Sequence, residues 1–221
     1  MKVCTDACLF GAWVAHFFEE KKITANKIMD IGCGTGLLSL MLAQKTNTTI
    51  DAIEIDAEAY LQATENIEGT IFKNQIHTFH GPVELFAAHS KYDFIICNPP
   101  FYENQLKSDK KNRNAAMHEA TLDLETLFNS IETNLSINGN IAILLPFDRM
   151  YIFEEILNKN GFFVNHKTNV KHSPSHPFFR SMIIASKTNQ TSIETEICIK
   201  NDTGQYTDDF IGFLKDFYLN F

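Results

Sequence analysis

No stretch of this sequence approaches the roughly 18–20 uninterrupted apolar residues that a membrane-spanning helix requires. The opening Met1-Lys2-Val3-Cys4-Thr5-Asp6 also lacks the charged-then-apolar order of a secretion signal. A cytoplasmic location without membrane attachment is therefore expected. Cysteine is sparse and poorly placed for bonding: Cys4, Cys8, Cys33, Cys97 and Cys198 are odd in number and include no CxxC pair. That spacing excludes a disulfide framework and a zinc finger, so reduced, buried thiols and no metal are expected. The eight histidines lack metal-ligand spacing with Cys or Asp. Positive charge is in deficit too. A formal net charge of −8 excludes an indiscriminate nucleic-acid binder, whose affinity would come from neutralising phosphates along its length.

No internal repeat, low-complexity tract or Pro/Gly-rich linker divides the 221 residues, so one domain over 1–221 is expected. What is present is an alternation of short apolar runs with amphipathic stretches of ten or more residues. That is the pattern of a parallel sheet covered by helices on both faces. Residues 7–20 read as a helix. Strands are expected at 27–31, 49–53, 76–79, 92–97, 140–145, 162–170 and 180–187. Helices are expected from 37 to about 44, from Asp56 as cap through Asn66, at 122–135, at 149–160 and over 207–221.

Two motifs carry chemistry. Asp30-Ile31-Gly32-Cys33-Gly34-Thr35-Gly36 follows a strand and opens a helix. Glycines there let the backbone turn tightly and approach a ligand where a Cβ would collide. The spacing is G-x-G-x-G, with Leu at position 37, and not the G-x-G-x-x-G of a dinucleotide fold, which disfavours a nicotinamide oxidoreductase. Glu54, ending the next strand, can accept both hydroxyls of a ribose. Such a site suits a nucleoside whose tail is an amino acid in place of phosphates, as in S-adenosylmethionine. Thr5-Asp6 is either a plain helix cap or part of the cover over that cofactor, and Asp30 taken alone could be a loop cap.

The second motif is Asn98-Pro99-Pro100-Phe101, placed where the fourth strand ends, on the carboxyl edge where open α/β folds bind ligands. The prolines stiffen the turn and leave its carbonyls free to accept hydrogen bonds. The exocyclic amine of a purine is a poor nucleophile because its lone pair is delocalised. An Asn98 side-chain oxygen and a Pro99 carbonyl accepting its two N–H groups would let the nitrogen pyramidalise, and Phe101 would stack on the base. The amide of a glutamine side chain poses the same problem to the same tetrapeptide, so chemistry alone leaves both acceptors open. A non-catalytic RNA-binding module is disfavoured by the joint presence of Asn98 and Glu54.

With both motifs in hand, the chain resembles the bacterial tRNA1(Val) adenine-37 N6-methyltransferase family. The likeness spans nearly the whole chain and includes Met1 to Asp6, Leu9-Phe10-Gly11-Ala12-Trp13, the glycine turn, Ile50 to Asp56, Asn98 to Phe101 and Phe217-Tyr218-Leu219. The resemblance implies an α/β, Rossmann-like class I methyltransferase with a seven-stranded, mostly parallel sheet. It implies S-adenosylmethionine as donor and an anticodon-loop adenosine as acceptor, with another RNA, a DNA or a protein glutamine as alternatives. The expected cofactor-binding residues are Thr5, Asp30, Gly32, Cys33, Gly34, Gly36, Glu54, Ile55 and Val83, and the expected catalytic residues are Asn98, Pro99, Pro100 and Phe101. Segment 1–22 would cover the cofactor, and 102–120 and 171–180 would be substrate-side loops. Three departures stand out: the family usually has a short stretch before the Met1-Lys2-Val3 motif, many relatives place an acid where this chain has Gly81-Pro82, and relatives often carry a basic residue where it has Met117.

An acidic protein that binds RNA must segregate its charge. Residues 165–180 hold Lys167, Lys171 and Arg180 without an Asp or Glu, and the loop after the tetrapeptide holds Lys107, Lys110, Lys111 and Arg113. Lys107, Lys110, Lys111, Arg113, Lys171 and Arg180 are the candidate phosphate contacts of a monomeric protein. Replacing Lys110, Lys111 and Arg113 together is expected to weaken RNA binding and flatten its salt dependence while cofactor affinity stays intact. Unchanged RNA affinity in a filter-binding titration would remove that patch.

Overall fold

The computed structural model describes residues 4–21, 23–86, 90–100 and 123–220. In chain order it has α1 (Thr5–Lys21), β1 (Lys27–Ile31), α2 (Leu37–Ala43), β2 (Thr49–Glu54), α3 (Ala57–Glu68) and β3 (Ile76–His80). A single 3-10 turn (Val83–Leu85) precedes β4 (Tyr92–Cys97), and residues 123–134 form α4. Then come β5 (Leu135–Pro146), α5 (Phe147–Lys159), β6 (Phe163–Lys171), β7 (Phe178–Ser186), β8 (Ile193–Cys198) and α6 (Asp208–Leu214).

The strands line up as β3-β2-β1-β4-β5-β7-β6-β8 in one sheet. Only β7 runs against its neighbours; every other pairing is parallel. The central strands are apolar almost throughout because both of their faces are covered. One face packs under α1, α2, α3 and α6 through Phe10, Leu42, Ile67 and Phe210. The other packs under α4 and α5 through Phe128, Ile131, Phe153 and Leu157. Helix α3 shows the local logic: Ala59, Ala63 and Ile67 recur every four residues and are buried, and Asp56 caps the helix by accepting the Ala59 N–H at 2.8 Å.

The sheet has eight strands where seven were expected. The unforeseen β8 is an edge strand paired only with β6, and its Ile-Glu-Thr-Glu-Ile-Cys sequence leaves its first four residues exposed. With one flank paired and little apolar burial, it lacks the run that marks an inner strand. Strand β5 starts at Leu135, five residues before the expected 140, on the far side of a register irregularity opposite Tyr92 and Phe94. The closing helix stops at Leu214, short of the expected 221, and Phe217 and Tyr218 beyond it pack against the core.

A polar cluster around the buried Asp51 and Tyr92 ties four strands at the amino end of the sheet. Asp51 on β2 accepts a hydrogen bond from the Tyr92 hydroxyl of β4 at 2.6 Å and pairs with Lys27 of β1 at 2.7 Å. His77 of β3 lies 3.5 Å from its other oxygen. Tyr92 is fully buried, so its hydroxyl depends on that carboxylate. Tyr92→Phe is expected to cost about 1.5–3 kcal/mol, the worth of a hydrogen bond to a charged group, in a urea unfolding titration. A loss under 0.5 kcal/mol would mean the cluster contributes nothing.

Candidate active site

The chain must turn from β1 into α2 within five residues, and it does so through left-handed backbone at Gly32 (φ +69°), Gly34 (φ +58°) and Gly36 (φ +82°). The turn is anchored to β2. The Gly32 and Cys33 N–H groups donate to the Ile53 carbonyl at 2.9 and 3.0 Å. Glu54 then takes the Gly34 N–H on one carboxylate oxygen and the Asp56 N–H on the other, both at 2.8 Å. A carboxylate has about four acceptor positions, so both oxygens keep capacity for hydroxyl donors.

The three glycines serve different ends. A Cβ added at Gly32 would meet nothing within 4 Å, because that position faces open space. At Gly36 it would come within 3.3 Å of Ile67, so this glycine lets α3 pack closely. Cys33 turns its side chain into the core, where burial pushes its thiol pKa up. Asp30 is fully buried; one oxygen accepts from the Ser39 N–H and hydroxyl at 3.1 and 2.6 Å, and the other has no partner among the described residues. Desolvation, partly offset by the Ser39 bonds, and then the nearby Glu54 charge bring the Asp30 pKa to about 7.

A cavity of about 440 Å³ lies at the carboxyl edge beside the turn, within the roughly 300–1,000 Å³ range of small-molecule sites. Strand order reverses here between β1 and β4, the place where open α/β sheets leave a crevice. Gly32, Ile55 and Val83 of the expected cofactor set line it, and so do Pro99 and Pro100 of the expected catalytic set. Ile55 is 67% exposed, which offers an apolar surface to a planar ring. Asn98 is half-buried between two lining residues, Cys97 and Pro99, without itself lining the cavity. Asp30, Cys33, Gly34, Gly36 and Glu54 sit in or behind the turn, and Thr5 is exposed at the head of α1. Phe101, Lys107, Lys110, Lys111, Arg113 and Met117 lie outside the described residues.

Sequence reasoning missed the opposite wall. Leu124 and Leu127 of α4, Leu145 of β5 and Arg149 of α5 all line the cavity, as does Glu84 of the 3-10 turn. The rule that ligands sit where strands end already pointed to the Leu145–Arg149 turn, but nothing distinguished it from other strand ends. The basic segment 165–180 is also less bare than its sequence suggests. Glu154 holds Lys167 at 2.7 Å, Glu196 holds Lys171 at 3.1 Å, and Asp6 holds Arg180 at 2.8 Å. Those acids come from α5, β8 and α1. Among the described residues no group of three His, Cys, Asp or Glu side chains could hold a metal ion, and no helix is long and apolar enough to cross a membrane.

The methyltransferase small domain family matches residues 12–140. A tRNA1(Val) (adenine(37)-N6)-methyltransferase of Dyadobacter fermentans is 41% identical, with all of this chain and 92% of the relative aligned. One of the same description from Pseudoalteromonas translucida is 35% identical over 99% of this chain and 92% of the relative. Among solved structures, a predicted O-methyltransferase of Agrobacterium tumefaciens superposes with a TM-score of 0.71 at 14% identity, covering 95% of each chain. Magnesium protoporphyrin IX methyltransferase of Synechocystis, solved with bound SAM, gives 0.62 at 16% identity over 83% of this chain and 80% of that one. At these identities the structures show a shared fold.

Asp30 generates a pH test. Its carboxyl binds a proton more tightly folded (about 7) than unfolded (3.8), so the unfolded state sheds its proton first as pH rises. Its contribution to stability is thus complete below pH 4 and is lost between about 4 and 7. Asp30→Asn removes that titration. The stability of the native protein relative to the variant is expected to fall across this window by up to ~4 kcal/mol in urea titrations. A difference that does not change with pH would place the Asp30 pKa in its ordinary range.

Proposed function

This chain belongs to the methyltransferase small domain family and, with its close relatives, to the tRNA1(Val) (adenine(37)-N6)-methyltransferases, and from that premise we propose how its residues divide the work. It transfers a methyl group from S-adenosylmethionine to the exocyclic N6 of adenine 37 in that tRNA. The cofactor supplies an electrophilic methyl on a cationic sulfur. The residues present fit it: Gly32 leaves open the space a Cβ would fill, and Asp30 keeps one buried carboxylate oxygen without a partner among the described residues. Glu54 would accept the ribose hydroxyls, Ile55 and Val83 would flank the adenine, and Asp30, Cys33, Gly34 and Gly36 would shape the turn beneath, with Thr5 at the rim.

The acceptor half rests on Asn98 to Phe101. The Asn98 side-chain oxygen and the Pro99 carbonyl would take the two N6–H bonds, holding the nitrogen lone pair out of the ring plane. Pro100 would keep the corner stiff, and Phe101 would stack on the extruded base. No general base is needed before attack, because the N6 proton becomes acidic only once the nitrogen carries positive charge. The observation that supports this reading most is the single cavity that Gly32, Ile55 and Val83 share with Pro99 and Pro100.

Asn98→Ala is expected to keep S-adenosylmethionine affinity in calorimetry while turnover on unmodified tRNA falls by about 10²–10³-fold. Turnover within a factor of ten of the native protein would refute the role of Asn98. Mass mapping of nucleosides from cells with and without the gene tests the acceptor, since N6-methyladenosine at position 37 should vanish with the protein.

A further inference from the structure

We propose that the first turns of α5 form the contact surface for the RNA next to the target adenosine, with Arg149 taking a backbone phosphate and Phe147, backed by Phe178, stacking a flanking base. This rests on the tRNA reading of the cavity and deepens it.

The argument starts from the cavity wall. Leu145 and Arg149 both line the cavity, so the chain between them forms its rim. Arg149 makes no hydrogen bond or ion pair with any described residue, unlike Lys167, Lys171 and Arg180 with their acids. Glu84 and Asp123 line the same cavity without pairing to Arg149. A guanidinium there that meets no acid among the described residues suits an anion brought by the ligand, its planar fork matching phosphate oxygens.

Phe147 lies two residues before Arg149, about 200° around the helix, and so on the far side of the same ridge. It is the first residue of α5 yet 40% exposed, and Tyr151, one turn on along the same face, is 47% exposed. The Phe147 ring rests against Phe178 at the start of β7, with centroids 5.2 Å apart and planes tilted by 33°. Lys171 approaches the Phe178 ring at 5.2 Å and brings a cation to the patch. Phe178 lies at the carboxyl edge because β7 runs antiparallel: Arg180 pairs with Pro146, the last residue of β5. An exposed Phe147 backed by the half-buried Phe178, one at a helix start and the other at a strand start, presents an aromatic face to a base.

A nucleotide whose base enters the cavity carries its backbone out over this rim. Its phosphate then passes Arg149, and the next base comes down on Phe147. Stacking of this kind is sequence-tolerant because every base has a π-face. An unpaired anticodon loop supplies splayed bases, whereas a duplex does not.

The test uses the full chain with an unmodified tRNA1(Val) transcript, and with transcripts carrying an abasic residue on one or other side of adenine 37. Phe147→Ala is expected to raise KM about 5- to 150-fold, with kcat within twofold and S-adenosylmethionine affinity unchanged, and Phe147→Trp should restore KM. On the transcript abasic at the stacked position, Phe147→Ala should add no further loss. Arg149→Ala should reduce the slope of log affinity against log salt by about 0.7, one single-strand phosphate, and Arg149→Lys should keep it. A native KM in Phe147→Ala, an undiminished loss on both abasic transcripts, or an unchanged salt slope in Arg149→Ala overturns the proposal. If the native protein leaves the intact transcript unmethylated, the tRNA reading falls and this inference with it. A native protein that methylates normally while these variants match it removes the inference alone.

Discussion

The site depends on one carboxylate. Glu54 spans the Gly34 and Asp56 N–H groups, and so joins a left-handed glycine turn to the end of the neighbouring strand. Without that acceptor the buried Gly34 N–H would be left unpaired at a cost of about 1–3 kcal/mol. With it, the turn has one shape, and the open side of Gly32 is aimed at the gap between β1 and β4. The same charge acts on Asp30, already desolvated inside β1, and adds to the rise of its pKa. Burial of Asp30 with one oxygen lacking a partner among the described residues is the larger cost, and the neighbouring Glu54 charge adds to it.

Around that anchor the fold divides labour between the two halves of the sheet edge. The β1–β2–β3 side contributes backbone, small residues and Glu54, which suits a ligand read by hydrogen bonds from its sugar and shape around its ring. The β4–β5–β7 side contributes stiff proline corners, exposed aromatics and cations. Helices α4 and α5 close the space between by packing on one face while their ends reach over the edge. Among the described residues, acids from α1, α5 and β8 meet Arg180, Lys167 and Lys171. Arg149 is different in lining the cavity while meeting no acid among the described residues.

The legibility of the chain varied with the kind of residue. Inner strands announced themselves because burial on both faces demands continuous apolar runs, as in Phe94-Ile95-Ile96-Cys97. Edge strand β8 did not, since one unpaired flank and four exposed residues leave an alternation that also fits a loop. Asp56 was readable as a cap because capping is local, spanning three residues to Ala59. The cavity wall formed by Leu124, Leu127 and Arg149 was not readable, because it is made by elements that meet only after the sheet is assembled.

By itself, the sequence determined the glycine turn, the acid at the end of β2 and the proline corner after β4, since each is a local motif whose chemistry follows from adjacent residues. It also determined the layered α/β architecture through its hydrophobic periods. Only the tertiary structure decided which charges stay free. Lys171 and Arg180 stand in a stretch without acids, yet folding places Glu196 and Asp6 beside them, from 25 and 174 residues away. Electrostatic pairing depends on distance in space, and one-dimensional spacing carries no information about that until the strands have taken their places.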